Sequence, residues 1–515
     1  LSRLPPEENR RVGLSFNQKD SSLWDKIGST QFPPALLFAI VIVIAIIARL
    51  SILLPGNLFI TDEAFYLGSG VEIFQDHFAS AKHYHQYTTG SVYIFPLIAA
   101  IAGAFCERIG IAGIVGVRLF NIAVNTITIV FVYKTAGVLA DRWIDNPYTR
   151  KWMPAFAACI FGMSSCVLYI GALGTYDALS VGFLAFGIWR LIKSLFPPEM
   201  NQEESAIASG KDFRRSVNAA AAGIAVALGM ITRFYPVVFT PLIAFIAIAS
   251  VVFFTYDRIQ RKRFNRTAFL LIIFVIAFLA VYGSYFISCY TTAIKPSLGH
   301  NQGNIEKHQV IPAYNLIAHV FYKYRLETIM TIIGAIWLAI PCIKKSVFRN
   351  EAIAEPVRWD RLATMASFIL IPIGGIAFQI VGPHNHFAYT KNLSVAVLAM
   401  APLAGFAAAK LIEHFPKRVK WLCWAIGLWL IGGYVKHSIR LAKDDQIFGG
   451  LNNSDLAEFL KKQLSDPDFN RRRLQFQSEA IQFLLYLAVI LIGLAIVITT
   501  LKLTRRNVDK TRIIK

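Results

Sequence analysis

Charge is scarce in this sequence. Only 16% of its 515 residues are Asp, Glu, Lys or Arg, while 55% are hydrophobic and the mean hydropathy is +0.51. A soluble globule has too little interior to hide that much apolar side chain, so the composition points to a chain whose solvent is largely lipid. Acids are scarcest of all, 31 Asp and Glu against 52 Lys and Arg, for a net charge of +21. The basic residues sit in short clusters between apolar runs, which reads as the positive-inside bias rather than a nucleic-acid surface. The cysteines Cys106, Cys159, Cys166, Cys289, Cys342 and Cys423 form no CxxC pair, which argues against a thiolate metal site or a disulfide framework. Period-2 strand patterns, internal repeats and low-complexity tracts are also missing, so a membrane β-barrel is excluded. No cleavable leader is expected, because the first apolar run is long and follows a polar segment.

What is present is a series of apolar runs, many of about 20 residues, the length a helix needs to cross a roughly 30 Å hydrocarbon core. Backbone groups in lipid must pair internally, so these runs are expected to be helices. The expected fold class is therefore an all-α polytopic membrane protein. The spans fall at 35–54, 115–139, 154–173, 178–192, 217–232, 236–254, 268–290, 328–343, 362–381, 393–411, 421–435 and 481–501. That gives about twelve spans with both termini cytosolic. Arg49, near the far end of the first span, is expected to snorkel toward the headgroups. The run at 92–105 is short, about 14 residues. If it crossed, the clusters Lys134/Arg142/Arg150/Lys151, Lys211/Arg214/Arg215 and Arg258 to Arg266 would all fall outside. It is therefore placed in the interface, as an in-plane helix of the first external loop.

This divides the chain into a cytosolic segment 1–34, a transmembrane core 35–290 with an external loop 55–113, and a polar external loop 291–325. Further helices follow over 326–435, then an external polar segment 436–479, and a last helix with a basic cytosolic tail over 480–515. One cluster strains the charge rule, since Lys461, Lys462 and Arg471 to Arg473 land outside.

On this topology Asp62, Glu63 and Asp177 all face one compartment at the outer ends of helices. A carboxylate there could take a proton from an attacking hydroxyl, or hold a divalent cation. A lone loop acid is as often simply solvated. Arg118 and Arg233 lie at outer helix ends, where a guanidinium fork suits a phosphate oxygen or a lipid headgroup. His83, His85, His300, His308, His384 and His386 are external too. Of these, His85, His308 and His384 are the candidate metal ligands, with Glu63 or Glu306, although no fixed spacing of the HExxH kind supports them.

Four short motifs, in this order, carry a resemblance. They are Thr61-Asp-Glu-Ala-Phe-Tyr66, Val117-Arg-Leu-Phe-Asn121, Gly171-Ala-Leu-Gly-Thr-Tyr-Asp-Ala178 and Gly229-Met-Ile-Thr-Arg-Phe-Tyr-Pro236. An acidic motif in the first external loop, an in-plane helix, an Arg-led span and a Gly-Thr-Tyr-Asp-Ala turn resemble the GT-C glycosyltransferase superfamily. That superfamily includes protein O-mannosyltransferases, lipid A aminoarabinose transferases and oligosaccharyltransferases. The resemblance covers about the first 290 residues in motifs and the rest in architecture only.

The resemblance implies a membrane enzyme, of the bacterial inner or plasma membrane, that takes a sugar from a polyprenyl-phosphate carrier on the extracytoplasmic face. The acceptor would be a lipid, glycan or protein hydroxyl. Asp62 would be the base or metal-binding carboxylate, with Glu63 beside it and Asp177 as the second-loop acid. Arg118, Arg233 and Lys82 would bind the carrier phosphate. In place of the Lys-Pro-Pro-like start of the aminoarabinose transferases, the chain has Lys82-His-Tyr-His-Gln-Tyr-Thr-Thr-Gly90. The Trp-Trp-Asp signature of the oligosaccharyltransferases is absent, which argues against block transfer to asparagine. Attack by one activated hydroxyl would invert the anomeric centre, since a retaining route needs a nucleophilic carboxylate on the other face. Two alternatives remain at this point: a polytopic transporter, and an O-antigen ligase- or polymerase-like enzyme centred on 436–479.

Overall fold

The computed structural model describes residues 34–53, 66–68, 70–71, 94–196, 208–233, 261–291, 295, 324–347, 364–371, 373, 386–414 and 432. Among them there is no strand. The helices are α1 (Pro34–Leu53), α2 (Ile94–Arg108), α3 (Gly113–Trp143), α4 (Pro147–Gly162), α5 (Ser165–Ala172), α6 (Asp177–Leu195), α7 (Ala208–Thr232), α8 (Arg261–Cys289), α9 (Arg325–Val347) and α10 (His386–His414). Five of the described helices are long and apolar enough to cross a membrane, or six with α4 and α5 counted as one bent span. The expected spans at 236–254, 362–381, 421–435 and 481–501 lie wholly or partly outside the described residues, as do most of the loops at 55–113 and 291–325 and all of 436–479.

Small residues set how closely the helices approach. A Cβ on Gly116 would meet the carbonyl of Ala102, one on Gly223 that of Phe274, and one on Gly334 that of Leu403. Lipid tails are as apolar as leucine, so helices in a bilayer gain from close van der Waals fit, which small residues permit. The centre of the bundle is α10, whose span is 83% buried and rich in alanine, while the α8 span is only 17% buried and lies at the periphery. Helix α10 packs on α4 and α9, and α3 packs on α4 and α6.

Two departures from the sequence reading shape the site. The expected straight span at 154–173 is broken, with α4 and α5 meeting at 66°. Arg49 does not snorkel; it is fully buried, donating to the Ala45 carbonyl at 2.7 Å and to Asn125 Oδ1 at 2.6 Å. Carbonyl and amide acceptors inside the bundle hold the guanidinium better than a bare hydrocarbon path to the headgroups would.

Helix α2, with 15 residues, falls below the length needed to cross. It turns through Gly110, at φ +80°, and packs along the start of α3. The turn exposes Ile111, and Lys151 is exposed beyond the other end of α3. With the native cysteines replaced, a cysteine at Ile111 should react with an impermeant maleimide from the extracytoplasmic side, and one at Lys151 only after permeabilisation. The opposite pattern would mean that 92–105 crosses the membrane.

Candidate functional site at the Asp177 end

Three helices place the site. Helix α6 begins at Asp177, where the positive end of the helix dipole favours an acid. Helix α7 ends at Thr232, and Arg233 follows it. Asp177 and Arg233 form an ion pair, and both are buried, Asp177 completely and Arg233 at 5% exposure. Ser180 ties the two helices by donating to the Gly229 carbonyl at 2.9 Å. An unpaired charge in this interior would be strongly destabilising, so each of the two residues accounts for the other.

Helix α3 supplies a polar stripe. Arg118, Asn121, Asn125 and Thr128 are all buried and recur at spacings of three and four, on one face. The Asn121 side-chain amide donates to the Leu173 carbonyl at 2.5 Å and the Thr175 carbonyl at 2.7 Å. Those are backbone groups that the turn between α5 and α6 leaves without helical partners. Asn125 accepts from Arg49, whose guanidinium crowds Gly171 on α5 so closely that a Cβ there would not fit. The segment leading into Asp177 is thus fastened to α3 and α1. At the break before α5, the buried Glu327 of α9 lies against Ser164.

Aromatic rings cover the ion pair. The Arg233 guanidinium lies 5.3 Å from the Tyr176 ring centre, an attractive cation–π distance. Tyr66 meets the same ring at 5.0 Å and Phe95 at 5.5 Å, both edge-on. Tyr66 follows the Thr61-Asp-Glu motif by a few residues and is buried.

Of the residues expected from sequence, Asp177 and Arg233 are in contact, and Arg118 is buried one turn from Asn121 on the same helix. Neither arginine reaches out to the surface. Asp62, Glu63, Lys82, His85, His308 and His384 lie outside the described residues. Among the described residues no three His, Cys, Asp or Glu side chains converge as metal ligands, and the Asp177 carboxylate is already matched by a guanidinium.

Sequence reasoning passed over Asn121, Asn125 and Glu327 because it weighed ionisable groups in loops. The signal was available in α3: Arg118, Asn121, Asn125 and Thr128 on one face of the first half of a largely apolar span.

No protein-family model and no curated protein sequence matches the chain. Solved structures do. The oligosaccharyltransferase of Archaeoglobus fulgidus, tethered to an acceptor peptide containing the NVT sequon, superposes with a TM-score of 0.50 and 13% identity over 85% of this chain and 59% of that one. The fold is of the GT-C type. ArnT from Cupriavidus metallidurans in the apo state superposes at 0.45, with 14% identity over 73% of this chain and 59% of its own. AglB from Archaeoglobus fulgidus, in complex with an inhibitory peptide and a dolichol-phosphate, superposes at 0.46, with 12% identity over 85% and 59%. The chain thus spans less than two thirds of the length of these structures. The likeness is one of fold, and within this GT-C fold the Asp177–Arg233 pair is the feature on which the site geometry rests.

Asp177→Asn should destabilise the folded protein by about 3–5 kcal/mol, because Arg233 is left buried without its anion. Replacing both residues by leucine should recover most of that loss. Unfolding in mixed micelles measures both. A double variant that loses clearly more than Asp177→Asn alone, as two independent residues would, would show that the pair is not an energetic unit.

Proposed function

We propose that the protein is a GT-C type glycosyltransferase that moves a sugar from a polyprenyl-phosphate carrier to an acceptor hydroxyl on the extracytoplasmic face. The observation that carries this reading is the gathering of Arg233, Asp177 and, through Tyr176, the ring of Tyr66 at one end of the bundle. Asp62 precedes Tyr66 by four residues, so chain length alone limits its Cα to about 14 Å from that of Tyr66. That supports Asp62 as the base at this end, with Glu63 beside it.

The carrier would enter sideways between helices and leave its tail in the bilayer. Arg233, held by Asp177, would be the guanidinium beside the carrier phosphate, with Arg118 and Lys82 as further contacts. Asp177 in this account holds Arg233 rather than accepting the proton. The arginines stabilise the phosphate as it leaves, and the low dielectric makes them more effective than in water. Asp62 removes the acceptor proton, the hydroxyl oxygen forms the new bond to the anomeric carbon, and the carbon–phosphate-oxygen bond breaks with inversion. A divalent cation would need Glu63 with His85, His308 or His384.

The buried charges Arg49 and Glu327 are what a transporter reading would use, since transporters place ionisable groups inside the bundle. Arg49, however, holds backbone and amide acceptors and works as a fastener. The test is incubation of the purified protein with a radiolabelled polyprenyl-phosphate sugar and candidate hydroxyl acceptors. Wild type should transfer label, and Asp62→Asn should be slower by about 10²–10⁴-fold. Solute uptake into liposomes, with no transfer from any carrier, would overturn the proposal.

A further inference from the structure

The end of the bundle away from Asp177 carries a second constellation, independent of the proposed reaction. Trp189 lies on α6 about 18 Å from Asp177 at 1.5 Å per residue, and Lys134 lies about 24 Å from Arg118 along α3. Three cations converge on the Trp189 ring: Arg190 at 4.4 Å from its centre, Lys134 at 4.8 Å and Lys193 at 5.4 Å. Phe131 stacks on the indole at 5.5 Å, and Phe186 meets it edge-on at 5.8 Å. Arg190 also donates to Asn218 at 2.8 Å. Among the described residues no carboxylate pairs with any of the three cations.

A ring face attracts each cation, but like charges gathered around one ring lie within about a Debye length of one another, so they repel with little screening. The last turn of α6 favours Lys193 through the helix dipole, yet it does nothing to offset Lys134 on α3. An anion bridging the three would. Lys134 and Lys193 are exposed, whereas the indole beneath them is buried. The cluster is thus open on its charged side and closed on its apolar side, and it stands where the end of a span meets the headgroups. We propose that Lys134, Arg190 and Lys193, gathered on the Trp189 ring, form a binding site for the phosphate headgroup of an anionic phospholipid in the leaflet opposite the Asp177 end.

The full chain, purified in mild detergent and exposed to phosphatidylglycerol and phosphatidylcholine of matched acyl chains, tests this by native mass spectrometry. Wild type should retain phosphatidylglycerol about ten-fold more than phosphatidylcholine. Lys134→Gln with Lys193→Gln should remove most of that preference, and Lys134→Arg with Lys193→Arg should keep it. Lys151→Gln, an exposed cation outside the cluster, should also keep it. The proposal fails if wild type shows no preference, if the double glutamine variant retains it, or if Lys151→Gln loses as much. Displacement of the lipid by inorganic phosphate would equally overturn the assignment to a lipid headgroup.

Discussion

A helix that breaks inside an apolar bundle leaves backbone carbonyls with no water to satisfy them. The break between α4 and α5, and the turn from α5 into α6, create this problem next to the candidate site. Asn121 answers it by donating to Leu173 and Thr175. Arg49 fills the space against Gly171 and locks Asn125. These polar groups let the chain turn within the bundle and begin α6 with Asp177 buried. A buried carboxylate then requires a cation, and Arg233 at the end of α7 is in place. Each step follows from the one before: the broken helix requires donors, the donors fix the turn, and the turn fixes the ion pair.

The same arrangement separates the molecule into two chemically distinct ends. At one end, Arg118 and Arg233 are buried, and Arg233 is paired with Asp177. At the other, two exposed lysines and an arginine gather over a buried indole. The first geometry suits a phosphate drawn into a half-dry site, the second a headgroup resting at the surface. Helices α3 and α6 connect the two ends, and both are long and apolar enough to cross a bilayer.

Much of the fold was legible because hydrophobic runs of span length have few alternatives. The helices expected at 115–139, 178–192, 217–232, 268–290 and 393–411 are all present, with the last three starting seven to nine residues earlier than expected. The break in 154–173 was not legible, since Pro154 and the residues 162–165 are compatible with either a straight or a bent helix. Of the site, Asp177 and Arg233 were expected on one side of the membrane, but nothing in their spacing of some fifty residues could show that they touch. Arg49 was misread because a charge near a helix end usually reaches for headgroups. Only the packing of α1 against α3 reveals that Asn125 was within its reach.

The central claim is that a polyprenyl phosphate binds at the Asp177 end. A photoactivatable polyprenyl-phosphate analogue, with its reactive group close to the phosphate, would be crosslinked to the purified protein and the labelled peptides mapped. The account predicts label on the first turns of α3 around Arg118 and on the end of α7 around Arg233, reduced by competing unlabelled carrier. Label concentrated around Trp189, or spread evenly over the lipid-facing belt of α8, would contradict it.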